Sequence, residues 1–171
     1  APSIEGGLSI EDRFLALVLQ DPDLLPRVIE VADLSEDTFR DSRNRQIFSE
    51  LCVFVEENAT YEKDVFCARL DSELRTHVES LLQQLQAEPF SSPDLARGDV
   101  TKCATRLCKR HISRLISELH FLQRDAQKDG SKERVRELDE KIEQLTRARL
   151  RIEQRFQAAT FIGRAKRGNR I

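Results

Sequence analysis

Two long apolar stripes in the second half of the chain constrain its fold more than any other feature. Residues 100–126 place apolar side chains three or four positions apart, and residues 135–156 alternate these two spacings as a heptad seam does. The first stripe is Val100, Cys103, Ala104, Leu107, Cys108, Ile112, Leu115, Ile116, Leu119, Leu122 and Ala126, and the second is Val135, Leu138, Ile142, Leu145, Arg149, Ile152 and Phe156. Gly130 and Ser131 lie between them, suited to a left-handed helix end and to the next helix cap. This pattern predicts an antiparallel helical hairpin.

The first 95 residues show helical spacing in shorter segments. Ser9 is suited to cap a first helix that ends near residues 21–22, and a short helix is predicted over residues 26–32. Ser35 is suited to cap a helix over residues 36–57, with a break near residues 41–43. Thr60 opens a further candidate, and an apolar stripe over residues 74–85 predicts the next helix.

These segments predict an all-α chain: a multi-helix bundle followed by a long helix and a C-terminal antiparallel helical hairpin. We expect a flexible lead-in over residues 1–8 and a bundle over residues 9–116. The hairpin is expected over residues 117–159, and a disordered basic tail over residues 160–171.

The residues that carry chemistry predict no catalytic, cofactor-binding or metal-binding site. None of the six glycines lies between Gly7 and Gly98, so no glycine-rich phosphate loop can be written and nucleotide hydrolysis is not expected. The four cysteines form no C-x-x-C pair. Cys108 and His111 share a helical face, but Cys103 lies five positions away and cannot easily join a zinc site.

Charge divides the chain. Residues 1–95 carry 20 acidic and 8 basic side chains, whereas residues 96–171 carry 10 acidic and 20 basic ones. Four of these bases lie in residues 160–171, for which we expect at most a weak nucleic-acid contact. No apolar run could span a membrane and no secretory signal is visible, so a cytoplasmic protein is expected. The chain has no Met and starts at Ala1, from which we expect a fragment or a processed product.

Two motifs in the first half resemble a known family. Residues 14–25 read FLALVLQDPDLL, a leucine-rich helix followed by a proline turn, and residues 37–51 contain Arg45-Gln46-Ile47-Phe48-x-x-Leu51 after Phe39. This order resembles the C-terminal helicase-binding domain of bacterial DnaG-type primase. It is also similar to the N-terminal domain of the bacterial replicative helicase, which shares that fold. The resemblance covers about residues 8–156, and the segment from Cys103 through residues 129–133 looks like the terminal hairpin of primases.

The primase resemblance implies a non-catalytic interaction domain without cofactor or small-molecule substrate. Its bundle would modulate the hexameric replicative helicase during the priming of DNA replication, and its hairpin would dock on the N-terminal collar of that helicase. Primer synthesis would reside in other domains of the parent enzyme, an RNA-polymerising nucleotidyltransferase. Two alternatives stay open: the N-terminal domain of the helicase itself, and a coiled-coil nucleic-acid-binding or assembly factor.

The hairpin supplies the predicted partner-binding residues. Phe121 is the expected aromatic anchor, three bases are expected to steer a partner, and the seam is expected to contribute further contacts. The predicted set is Phe121, Leu122, Arg124, Lys128, Arg134, Leu138, Ile142, Leu145, Arg149 and Ile152. Arg149 is expected either to specify the seam or to contact a partner carboxylate.

Overall fold

The computed structural model describes residues 7–88 and 93–168, and all regular secondary structure within them is helical. Short 3-10 helices span Pro22–Leu24 and Glu36–Thr38. The α-helices are α1 (Ile10–Gln20), α2 (Leu25–Ala32), α3 (Ser42–Glu57), α4 (Lys63–Arg69), α5 (Ser72–Gln86), α6 (Pro93–Lys128) and α7 (Lys132–Gly168). The all-α prediction is therefore confirmed for the described residues.

The chain forms two compact units, Ala1–Leu107 and Cys108–Ile171. The division falls inside α6, nine residues before the predicted boundary after residue 116. No turn marks it, because α6 continues without interruption from Pro93 to Lys128. The sequence therefore contains no turn or helix end that would mark the boundary between the two units.

The first unit is built around α1. Every residue from Phe14 to Leu19 is at most 2% exposed, and α1 packs against α3 and α5. A helix that is apolar on all sides belongs in the centre of a fold. The rings of Phe14, Phe39 and Phe48 lie with centroids 4.7 to 6.3 Å apart, which ties α1 to the end of the second 3-10 helix and to α3.

A buried polar network holds the start of α3 against α1. The Glu11 carboxylate, in a residue only 5% exposed, accepts hydrogen bonds from the backbone N–H groups of Arg40 and Asp41, each at 3.0 Å. Asn44 donates through Nδ2 to Glu11 at 3.2 Å and to Asp12 at 2.8 Å. Because its amide nitrogen faces these carboxylates, its Oδ1 must accept the 2.7 Å hydrogen bond from Nε2 of His77 on α5.

In the second unit, α6 and α7 are joined by a tight turn. Gly130 has φ 74°, its N–H donates to the carbonyl of Gln127 at 3.1 Å, and the Ser131 N–H donates to that of Ala126 at 3.0 Å. These two bonds define a Schellman motif, which needs a left-handed residue at the glycine position. The predicted helix end at Gly130 is confirmed.

Side-chain contacts fix the register between α6 and α7. They join Lys109 to Glu153 at 3.1 Å, Ser113 to Arg149 at 3.1 Å, and Gln123 to Asp139. The residue numbers of the partners have the same sum in all three pairs, so the two helices run in opposite directions without a register shift. All seven predicted seam positions of α7 are buried or partly buried.

Several helix limits differ from the sequence predictions. The predicted break in the helix after Ser35 is confirmed: a 3-10 helix ends at Thr38, and Asp41 then caps α3 by accepting from the Arg43 N–H at 2.9 Å. The helix expected from Thr60 begins at Lys63. The predicted linker, residues 89–93, lies outside the described residues except for Pro93, which begins α6.

The predicted disordered tail also needs correction. Helix α7 includes residues 160–168, and only residues 169–171 of that segment lie outside the described residues. Arg164, Ala165, Lys166 and Arg167 have high intrinsic helix propensity, which makes this part of the sequence compatible with a helix.

Candidate interaction surface

Phe121 and Leu122 form an exposed apolar patch on α6, about two turns before the connection to α7. Their exposed fractions are 63% and 45%, which places both among the large apolar side chains that the described fold leaves in solvent. Adjacent residues on a helix point about 100° apart, so the two side chains cover neighbouring strips of its surface. We call this pair the apolar patch.

The exposure of Leu122 corrects its predicted place in the seam. The positions of α6 that are buried or partly buried near the turn are Leu119, Gln123 and Ala126, with spacing four and then three. Gln123 therefore occupies the position expected for Leu122, and its amide hydrogen-bonds Asp139 of α7. A polar residue in the seam turns Leu122 outward beside Phe121.

The three bases predicted to steer a partner are exposed, but acidic residues around them offset their positive charge. Arg124, Lys128 and Arg134 all lie on the surface, and Arg134 pairs with Glu137 at 3.1 Å. We define the turn-proximal segment as residues 117–146; it contains six bases and eight acids. Its net charge is −2, so it carries no positive field to attract an acidic partner.

The predicted seam residues hold α6 and α7 together. Leu138 and Ile152 are 1% and 4% exposed, which leaves them no surface for a partner and corrects their assignment as contact residues. Ile142 and Leu145 are partly buried. Arg149 is also partly buried and donates to the Ser113 hydroxyl, an intrachain contact of the kind expected for a seam specifier.

Three of the four thiols, those of Cys52, Cys67 and Cys103, lie in environments that favour the protonated form. Burial raises the pKa of both Cys52 and Cys103 to about 11, and it also raises the pKa of Cys67. A protonated thiol is a poor nucleophile and a poor metal ligand. Within residues 7–88 and 93–168, no three His, Cys, Asp or Glu side chains are grouped to hold a metal ion.

In the structure, His111 makes a contact that does not fit the zinc site considered for Cys108 and His111. His111 Nδ1 lies 2.8 Å from Nη2 of Arg114, and a guanidinium can only donate, so the imidazole nitrogen accepts. Nδ1 of His111 therefore accepts a hydrogen bond from the Arg114 guanidinium and is not available to bind a metal ion.

A polar cleft of about 250 Å³ in the first unit was not predicted. Leu8, Ile10 and Arg13 line it from the start of the chain, and Asp99, Lys102, Cys103 and Arg106 line it from α6. Arg13 makes ion pairs with Glu88 at 2.6 Å and Asp99 at 2.7 Å. These contacts join positions 75 and 86 residues apart, and short-range sequence patterns carry no signal of such contacts.

No described helix is long and apolar enough to cross a lipid bilayer. Comparisons of the chain with protein-family models, with curated proteins and with solved structures each found no match.

Proposed function

We propose that this chain is a non-catalytic helicase-binding domain of a bacterial primase. In this proposal the first unit is a helical bundle that modulates the helicase. The second unit is a helical hairpin that docks on the N-terminal collar of the hexameric replicative helicase during priming. Primer synthesis then belongs to other domains of the parent enzyme.

The observation that carries this proposal is the apolar patch. The resemblance to primases implies a docking element in the hairpin, and Phe121 is a hairpin aromatic side chain that is 63% exposed. Exposed aromatic residues that become buried on binding are frequent hot spots of protein interfaces. Docking through this patch rests on apolar contact, since the surrounding turn-proximal segment has a charge of −2.

Sedimentation velocity with the hexameric replicative helicase of the same organism tests the proposal. We expect the chain to co-sediment with the hexamer at micromolar concentration. Phe121→Ala should weaken the complex about thirtyfold, the loss typical of a hot spot of about 2 kcal/mol. Its melting temperature should change little, because the side chain is exposed.

Leu150→Ala is the matched control. Leu150 is an apolar residue of α7 with 54% exposure, and it lies outside the turn-proximal segment. Its removal should leave helicase binding unchanged. The proposal fails if the wild-type chain does not co-sediment, or if Phe121→Ala and Leu150→Ala weaken binding equally.

The same experiment separates the alternative that the chain is an N-terminal domain of the helicase itself. That alternative predicts dimers or rings of the fragment alone. A monomer in the absence of helicase, combined with binding in its presence, favours the primase proposal.

A further inference from the structure

The positive charge of the second unit is concentrated at the end remote from the turn. The register between α6 and α7 brings residues 108–116 beside residues 146–154, and we call residues 108–116 and 147–159 the basic end. They contain seven bases and one acid, a net charge of +6, against −2 for the turn-proximal segment. The charge excess and the apolar patch thus occupy different parts of the same helical pair.

Arginine rows run along both helices of the basic end. Arg110 and Arg114 lie four residues apart on α6, and Arg147, Arg151 and Arg155 lie at the same interval on α7. The register sets Arg151 opposite His111, so the two rows overlap along the axis. At 1.5 Å per residue, the α7 row is about 12 Å long.

Ion pairs involve bases of the basic end. Lys109 pairs with Glu153 at 3.1 Å, and Arg147 pairs with Glu143 of the turn-proximal segment at 2.5 Å. Arg149 donates to a neutral hydroxyl of Ser113 at 3.1 Å, so its charge adds to the local potential. Six of the seven bases are arginine, whose planar guanidinium matches the oxygens of a phosphate.

The surface chemistry favours a nucleic acid over a protein or a membrane. Protein interfaces have an apolar core depleted in charged residues, but Leu150 is the large apolar side chain that the basic end exposes. Amphipathic membrane-binding helices need a broad apolar face, which α7 lacks between residues 147 and 158 outside its seam. A polyanion requires neither, because its binding is driven by the release of counterions.

We propose that the basic end binds the phosphate backbone of single-stranded nucleic acid, independently of sequence. Arg110, Arg114, Arg151 and Arg155 are the contact residues, and each is expected to neutralise one phosphate. This activity does not depend on helicase binding, since it uses the opposite part of the second unit.

Fluorescence anisotropy of a labelled 20-nucleotide oligothymidylate, titrated with the whole chain, tests this inference. Four phosphate contacts to a single strand give a log–log salt slope of about −2.8, so affinity should fall about fiftyfold between 50 and 200 mM salt. Arg151→Gln with Arg155→Gln should make the slope less steep by about 1.4. It should also weaken binding at 50 mM salt by at least tenfold.

Arg134→Gln with Arg136→Gln is the charge-matched control. It removes the same two charges from the turn-proximal segment and should change affinity less than threefold. Circular dichroism should give both variants the helical content of the wild type. Equal losses in the two double variants, or no binding at 50 mM salt, overturn the inference.

A competitor identifies the partner class. Polyglutamate at the same concentration of charge should displace the oligonucleotide at least tenfold less well than unlabelled oligothymidylate. Equal displacement would mean that the basic end accepts acidic protein segments, which would also overturn the proposal.

Discussion

Replacing Glu11 with Ala should strongly destabilise the first unit. The Glu11 carboxylate satisfies the backbone N–H groups of Arg40 and Asp41, which are partly buried and lie between the second 3-10 helix and α3. A buried donor without a partner costs about 1 to 3 kcal/mol. Asn44 loses less, since its bond to Asp12 remains.

The expected cost follows from these two donors. The combined cost of the two unsatisfied donors is about 2 to 6 kcal/mol. Because water reaches these groups in part, we expect a value in the lower half of this range, about 3 kcal/mol. With a urea dependence of about 1.5 kcal/mol per molar, the unfolding midpoint should fall by about 2 M. Glu11→Gln keeps one side-chain oxygen and should show roughly half of this shift.

Tyrosine emission gives a selective assay. Tyr61 is the single tyrosine of the chain, which contains no tryptophan, and its ring packs against Phe54 and Phe66 in the first unit. Its emission during urea titration therefore reports on that unit alone. Glu36→Ala, at an exposed neighbouring position, is the control and should shift the midpoint by less than 0.3 M, since exposed sites change stability by about 0.5 kcal/mol or less. A shift below 0.5 M for Glu11→Ala, or one equal to that of the control, would refute the reasoning.

Three further predictions use the same measurements. The Arg43 guanidinium lowers the pKa of Asp41 from 3.8 to about 2, so this stabilisation is complete above pH 3.8 and is lost as the pH falls through 2. Asp41→Asn should reduce the loss of the tyrosine-detected midpoint between pH 5 and pH 2.5, and an unchanged loss would contradict the assignment. Burial, with the charge of Arg43, lowers the pKa of His77 below 6.5. Stability should therefore fall below pH 6.5, and His77→Gln, which keeps an N–H donor, should flatten the midpoint between pH 7 and pH 5.5. Gly130→Ala, at φ 74°, should cost about 1 kcal/mol and lower the melting transition seen by circular dichroism while the tyrosine-detected urea midpoint stays constant. A lower tyrosine midpoint would show that the two units unfold together.

Local chemistry made many of the helix limits predictable. Ser9 caps α1 through a 3.1 Å bond from the Asp12 N–H, and Gly130 ends α6 in the left-handed conformation. Both are decided by a residue and its nearest neighbours along the chain, so they can be inferred from short sequence patterns.

Interactions between distant segments were not predictable in the same way. Glu11 lies in the first turn of α1, and its nearest neighbours along the chain give no sign that it turns inward to bind a loop about 30 residues away. At the candidate surface, Leu122 and Gln123 show the same limit of prediction from sequence. The spacing of apolar residues favours Leu122 in the seam, whereas the register with α7 selects Gln123.

The uninterrupted run of α6 makes the second unit a molecular ruler. Arg110 and Phe121 lie on this one helix, eleven residues or about 16 Å apart along its axis. A nucleic acid bound at Arg110 and a protein bound at Phe121 would thus be held at a fixed distance from each other. Inserting seven residues into each helix, between 117 and 118 and between 144 and 145, would lengthen that spacing by about 10 Å and preserve the heptad phase. Such a change would vary the distance between the two proposed binding sites while leaving the contact residues of both sites in place.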